Sequence, residues 1–195
     1  TNVILGQEEK TLYGPGFILD KLCGLSFRIS SHSFYQVNST QTEVLYRYAI
    51  QMAQLTGTET VLDAYCGTGT IGLVAAKGLP ETPEAHAAQV IGVDNIESAI
   101  TDAYNNARHN GIENATFETA DAGDFMKKQA KAGNRIDVLL MDPPRAGASE
   151  DFLKATCLLA PKRIVYISCN PKTQQRDVEY LSLIHISEPT RHSLI

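Results

Sequence analysis

Thr60-Val61-Leu62-Asp63-Ala64-Tyr65-Cys66-Gly67-Thr68-Gly69-Thr70-Ile71-Gly72-Leu73-Val74-Ala75-Ala76-Lys77 is the stretch that decides the fold. Thr60-Val61-Leu62 reads as a short buried strand, the glycines form a tight loop, and Ile71 to Lys77 lies in a helix. The same alternation continues along the chain. Val90-Ile91-Gly92-Val93 reads as a second strand ending in Asp94, and Ser98 to His109 as its helix. Ala115 to Glu118, Asp137 to Met141 and Arg163 to Ser168 read as three further strands. Strands and helices alternating at this spacing predict an α/β fold, with a doubly wound, mainly parallel sheet of at least five strands. Upstream, Phe17 to Leu22 and Leu25 to Ile29 flank Cys23-Gly24 as a hairpin, and Thr40 to Leu55 has a helical apolar period.

Bulk composition narrows the class. Hydrophobic residues make up 43% and charged residues 20% of the 195, which suits a soluble globular protein. No apolar run reaches the length of a membrane span, and no basic start followed by an apolar core suggests secretion. Cys23, Cys66, Cys157 and Cys169 lie far apart, without a C-x-x-C pair or histidines at ligand spacing, so no metal is expected. A reducing cytoplasm is the expected compartment. The net charge of −5 argues against a broad phosphate-gripping face. Lys127, Lys128, Lys131 and Arg135 read as a solvated helix face rather than a nucleic-acid patch.

Three polar loops fall at strand tips, where open α/β sheets bind ligands. The first carries Gly67-Thr68-Gly69 and Gly72, a G-x-G-x-x-G spacing that by itself fits a dinucleotide site or a plain packing turn as well as a methyl-donor site. The form Asp63-x-x-x-Gly67-x-Gly69, with Asp94 at the second tip to meet ribose hydroxyls, favours S-adenosylmethionine over a nicotinamide dinucleotide. The second loop is Asp142-Pro143-Pro144-Arg145. Its prolines fix the backbone and present the Asp142 carboxylate, unless Asp142 merely caps the next helix. Amino-group methyltransferases carry an aromatic residue after such prolines. Here Arg145 stands in that place, which favours contact with phosphate or a base edge.

The third loop is Cys169-Asn170-Pro171. Free cysteine is usually a buried packing residue. A thiol at the tip of a central strand, beside a methyl-donor loop, reads instead as a nucleophile. The chemistry that needs one is methylation of pyrimidine C5, a poor nucleophile. Thiolate addition at C6 gives C5 enolate character, and a base removes the C5 proton before the thiol leaves. The target pyrimidine must leave its stack to be reached, so a single-stranded loop or a flipped nucleotide is expected.

Ser33-Phe34-Tyr35-Gln36-Val37-Asn38, Leu62 to Gly69, Gly92-Val93-Asp94, Asp142 to Arg145 and Ile167-Ser168-Cys169-Asn170-Pro171 are co-linear motifs. In these the chain resembles the RNA uracil-C5 methyltransferases, most of all the bacterial enzymes acting on 23S ribosomal RNA. The resemblance spans residues 1–181 and implies 5-methyluridine formation in rRNA processing, with RNA as partner and a monomeric state. It implies that Gln36, Tyr65, Gly67, Gly69, Asp94 and Asp142 bind S-adenosylmethionine, that Cys169 is the nucleophile, and that Arg145 and Asn170 meet the substrate. The family more often has Glu at the place of Asp94. An N-terminal RNA-binding barrel, often with an iron–sulfur region beside it, belongs to the family, as does a general-base Glu in a His-x-Glu-type segment beyond Leu181. The expected division is a hairpin and linker over 1–32, an incomplete catalytic domain over 33–181, and a non-native tail over 182–195 in which Glu188 is no substitute base. A fragment of this kind is expected to turn over poorly and to leave its fifth strand as an open edge. The rival readings are an amine-directed nucleic-acid methyltransferase and a non-catalytic module that binds cofactor or RNA.

Overall fold

The computed structural model describes residues 10–30 and 35–184. The expectations for Ser33-Phe34 and for 185–195 lie outside the described residues. Strands β1 (Phe17–Leu22) and β2 (Leu25–Ser30) pair antiparallel, Leu22 opposite Leu25. The two-residue turn between them has positive φ at both Cys23 (50°) and Gly24 (80°), the geometry that matches the twist of the flanking strands. After helix α1 (Ser39–Ala53), the units alternate: β3 (Thr60–Ala64), α2 (Thr70–Lys77), β4 (Gln89–Asp94), α3 (Glu97–His109), β5 (Ala115–Thr119), α4 (Ala122–Lys131), β6 (Val138–Met141), α5 (Glu150–Leu159), β7 (Arg163–Tyr166) and α6 (Pro171–Ile184).

The last five strands form one parallel sheet in the order β5-β4-β3-β6-β7. The chain starts this sheet at β3, extends it to one side through β4 and β5, then returns to the other side at β6. The direction of winding therefore reverses between β3 and β6, which is where sheets of this kind open a crevice. Val61, Val90, Phe117, Val138, Leu140 and Val165 bury one face in the core they share with α1, α2, α3 and the hairpin. Leu62, Ala64, Val93, Leu139 and Met141 bury the other face beneath α4 and α5, with Leu181 of α6 in the same core. β3, β4, β6 and β7 supply both cores because successive side chains point to opposite faces, whereas edge strand β5 buries only Ala115 and Phe117, on one face.

Two expectations are corrected. The thiol-bearing strand ends at Tyr166 rather than Ser168, although the Ile167 amide still donates to the Met141 carbonyl at 2.9 Å. It is also an edge strand among the described residues rather than a central one, which leaves it the open edge expected of the fifth strand. The Asn-Pro pair thus follows the strand's end by four residues instead of stopping it, and Pro171 opens α6, a helix absent from the expectations. Pro is well suited to that first position, where its missing N–H has no intrahelical partner to lose. The basic run behaves as a solvated face: Lys127 pairs with Asp124 (3.2 Å), Lys128 with Glu118 (3.5 Å) and Arg135 with Asp137 (3.1 Å).

Candidate active site

The register sets Ala64, Val93, Met141 and Tyr166 level across four adjacent strands. Tyr65, Asp142 and Ile167 are therefore each one step beyond the sheet, level with Asp94, the last residue of β4, on the same rim. Three strand spacings make that rim about 14 Å wide. The loops that carry the glycines, the Pro-Pro turn and the thiol all rise from it.

The glycine loop is held from within. The Gly69 amide donates to the Cys66 carbonyl (2.8 Å) and the Cys66 amide to the Val93 carbonyl (3.1 Å). Tyr65 at φ 63°, Gly67 at φ 53° and Gly69 at φ 78° turn the chain sharply, and Gly69 is the N-cap of α2 with no side-chain cap. A Cβ on Gly69 would come within 2.9 Å of the Phe117 ring, whereas one on Gly67 would meet nothing within 4 Å. The first glycine thus permits the packing beneath the loop, and the second leaves open space above it. The Asp94 carboxylate accepts from the Gly67 amide (3.0 Å) and from the Ile96 amide (3.0 Å). Each oxygen keeps a second lone pair. The Tyr65 ring lies 5.1 Å from that of Phe152 on α5.

Three carboxylates share the crevice. Asp63 lies on the face of β3 toward α2, is 2% exposed, and accepts from the Gly72 amide at 2.9 Å. Burial pushes its carboxyl up to about 8, against the lowering effect of that N–H, and the charges of Asp142 and Asp94 add to the rise. Burial alone pushes Asp142 up to about 6. Asp142 makes no hydrogen bond among the described residues and does not cap α5, whose cap is Ser149 (3.1 Å to the Phe152 amide). A buried carboxyl pushed up in part by two neighbouring carboxylates, with lone pairs left unused on Asp94 and Asp142, suits a positively charged ligand.

The Pro-Pro turn and the thiol loop are joined. The Asn170 amide side chain donates to the Arg145 carbonyl (3.1 Å), and Thr173 Oγ1 donates to the same oxygen (3.4 Å). Arg176 donates to the carbonyls of Ala146 and Ala148 (both 3.2 Å). Asp177, wholly buried, accepts from the Ala148 amide (2.8 Å) and the Tyr166 hydroxyl (2.7 Å). Within the thiol loop, the Asn170 amide donates to Ser168 Oγ (3.0 Å). Cys169 is exposed on this fixed loop, while Cys23 and Cys66 are buried and Cys157 is half-buried. Burial pushes the Cys66 thiol well up, which keeps it protonated beneath the glycine loop.

Tyr65, Gly67, Gly69, Asp94, Asp142, Arg145, Cys169 and Asn170 therefore share the rim. Gln36 lies just before α1, between Tyr35 and Ser39, whose hydroxyls both donate to Asp20 Oδ2 (3.1 and 2.8 Å). No hydrogen bond of its side chain ties Gln36 to the rim among the described residues. Asp63 enters the sequence analysis as the first residue of the glycine-loop form but not among the expected cofactor-binding residues; its burial and its bond to Gly72 show only in the structure. Its signal was a carboxylate inside an otherwise apolar strand.

A methyltransferase-domain model matches residues 55–185. An uncharacterized RNA methyltransferase of Staphylococcus aureus strain MRSA252 is 50% identical over 182 residues, covering 93% of this chain and 38% of the relative. One from Lactiplantibacillus plantarum is 50% identical over 193 residues, covering 98% of this chain and 40% of the relative. The chain thus spans well under half the length of these curated relatives. Among solved structures, the tRNA (uracil-54, C5)-methyltransferase of Pyrococcus abyssi in complex with S-adenosyl-L-homocysteine is similar, with a TM-score of 0.69 and 33% identity. That likeness covers 87% of this chain and 38% of the archaeal one. With the five-stranded parallel sheet and the glycine loop at its switch point, these matches place the chain in the methyltransferase-domain family.

Proposed function

We propose that this chain is the catalytic core of an S-adenosylmethionine-dependent RNA methyltransferase acting on C5 of a uridine, with 23S ribosomal RNA as the substrate class. The observation that carries the reading is the exposed Cys169, on a loop whose next residue, Asn170, is bonded to Arg145 of the Asp142 turn. The cofactor supplies an electrophilic methyl group. The residues present fit it: space is open above Gly67, α2 begins without a side-chain cap, and the Asp94 and Asp142 carboxylates suit a cation such as a sulfonium or an ammonium, whose approach would also favour ionisation of the buried Asp63. Asp94 is placed to take the ribose hydroxyls with its spare lone pairs, and Tyr65, Gly67, Gly69, Asp142 and Gln36 complete the cradle.

Cys169 as thiolate adds to C6 of the flipped uracil, forming an S–C bond and shifting the ring electrons to C5 and the O4 enolate. C5 then forms its bond to the methyl carbon as the bond from that carbon to the donor sulfur breaks, with S-adenosylhomocysteine as the leaving group. Loss of the C5 proton to a general base restores the C5–C6 double bond and expels the thiolate. Arg145 is exposed on the rim, where its guanidinium can meet a phosphate or the uracil edge. The general base is expected in the part of the relatives' length that this chain does not span.

The test uses an RNA hairpin carrying 5-fluorouridine, together with S-adenosylmethionine. Fluorine cannot leave as a proton, so the covalent adduct persists. A denaturation-resistant protein–RNA species that maps to Cys169 and vanishes in Cys169→Ala is the expected result. An adduct that survives Cys169→Ala would exclude this nucleophile. Methylation of an amine without any adduct would favour amine-directed chemistry at the Asp142 turn.

A further inference from the structure

We propose that Asn106 is a positioning residue that couples docking of the N-terminal hairpin to the shape of the glycine loop. The inference rests on the glycine loop being the cofactor cradle. In the hairpin, alternate residues of β2 spend their backbone groups on β1, and the others face outward. Helix α3 meets that outer edge with side chains four residues apart. The Arg28 amide donates to Asn106 Oδ1 (2.7 Å), and Asn106 Nδ2 donates back to the Arg28 carbonyl (3.3 Å). One helical turn later, the Ser26 amide donates to Asn110 Oδ1 (2.9 Å) and Asn110 Nδ2 donates to the Ser26 carbonyl (2.8 Å). At the other end, Ser30 Oγ donates to Asp102 Oδ2 (2.6 Å).

The match is metric. Four residues of helix rise about 6 Å and two residues of strand about 6.8 Å, so an i, i+4 pair of asparagines can replace a missing strand at positions 28 and 26. The apolar side of β2 (Leu25, Phe27, Ile29) is buried at the same time, with Leu25 and Phe27 in the shared core, which fixes the register.

Asn106 differs from Asn110 in one respect. Its second Nδ2 hydrogen goes to the Thr68 carbonyl (3.2 Å), between Gly67 and Gly69. The corresponding hydrogen of Asn110 goes to the Asn106 carbonyl of its own helix (2.8 Å). Asn106 and Thr68 are both buried, at 0% and 2% exposure, so neither group has water as an alternative partner. A single amide plane thus spans the strand edge and the loop. Undocking the hairpin frees the plane to rotate and releases the carbonyl that sets the glycine turn. By linkage, a ligand that stabilises the loop must stabilise the hairpin contact by the same factor.

Binding of S-adenosylhomocysteine to the 195-residue chain is measured by calorimetry for wild type, Asn106→Ala, Asn110→Ala and Asp94→Ala. Asn106→Ala is expected to weaken binding roughly three- to tenfold, the worth of one neutral hydrogen bond, and Asn110→Ala to leave it within about twofold. Native-state hydrogen exchange needs no variant: S-adenosylhomocysteine should slow exchange of the Arg28 amide more than that of the Ser26 amide. Equal weakening by both asparagine variants, or equal protection of the two amides, overturns the proposal. If Asp94→Ala binds like wild type, the cradle lies elsewhere and the proposal falls with it. If Asp94→Ala weakens binding and Asn106→Ala does not, the cradle stands and the coupling is refuted.

Discussion

Asp142→Asn should make the ligand-free protein more stable while weakening its hold on the methyl donor. Burial raises the Asp142 carboxyl from an ordinary value near 3.8 to about 6, and no hydrogen bond among the described residues offsets the cost. A carboxyl whose folded pKa is raised gives stability that is full below the unfolded pKa and is lost as pH rises through the folded one. With 3.8 and about 6, the loss is about 0.6 kcal/mol at pH 4, about 1.6 kcal/mol at pH 5 and about 3 kcal/mol at pH 8. Asparagine is nearly isosteric and never ionises, so it escapes that loss. Urea unfolding of wild type and Asp142→Asn at pH 5 and pH 8 should therefore show an advantage for the variant that grows by about 1.4 kcal/mol between the two. A pH-independent difference, or a variant less stable at pH 8 than at pH 5 relative to wild type, would refute the account of Asp142 as an unpartnered, desolvated charge. Calorimetry on the same variant should show weaker binding of S-adenosylmethionine, because the cation then faces one carboxylate fewer.

Below pH 6, wild-type affinity for S-adenosylmethionine should fall by about tenfold per pH unit as Asp142 takes up its proton, and binding should release protons measurable from its buffer dependence. Gly69→Ala should destabilise by more than about 1 kcal/mol in urea, since its φ of 78° and the Phe117 ring 2.9 Å from a new Cβ both oppose it. Asp177→Ala should cost roughly 2–4 kcal/mol by leaving the Tyr166 hydroxyl and the Ala148 amide without their acceptor; a smaller change in urea midpoint would mean that the Arg145–Ala148 loop is not held by this junction. A thiol reagent should label Cys169 rapidly in the folded chain and Cys23 and Cys66 only on unfolding, as peptide mapping would show.

The alternation of apolar strands with helices was legible because it is a local property. Thr60–Ala64, Gln89–Asp94, Ala115–Thr119 and Val138–Met141 lie within a residue or two of where their apolar runs place them. The three polar tips were legible for the same reason, since Gly, Pro and Asn punctuate the chain wherever it leaves a strand. Helix α6 was not legible, because Pro171 signals an ending and a beginning equally well.

What the residue order determined by itself was the set of units and the chemistry at their ends: a glycine turn, an acid before two prolines, a thiol before Asn-Pro. The tertiary structure alone decided which of these ends stand side by side. Strand order is set by which faces can be buried together, a choice made between segments as far apart as Val61 and Val138, and no local pattern encodes it. The same holds for Asp63 and Asn106. Asn106 is an ordinary polar residue in the sequence and Asp63 only the first residue of the glycine-loop form; each acquires its partner, Thr68 or Gly72, only when packing removes water.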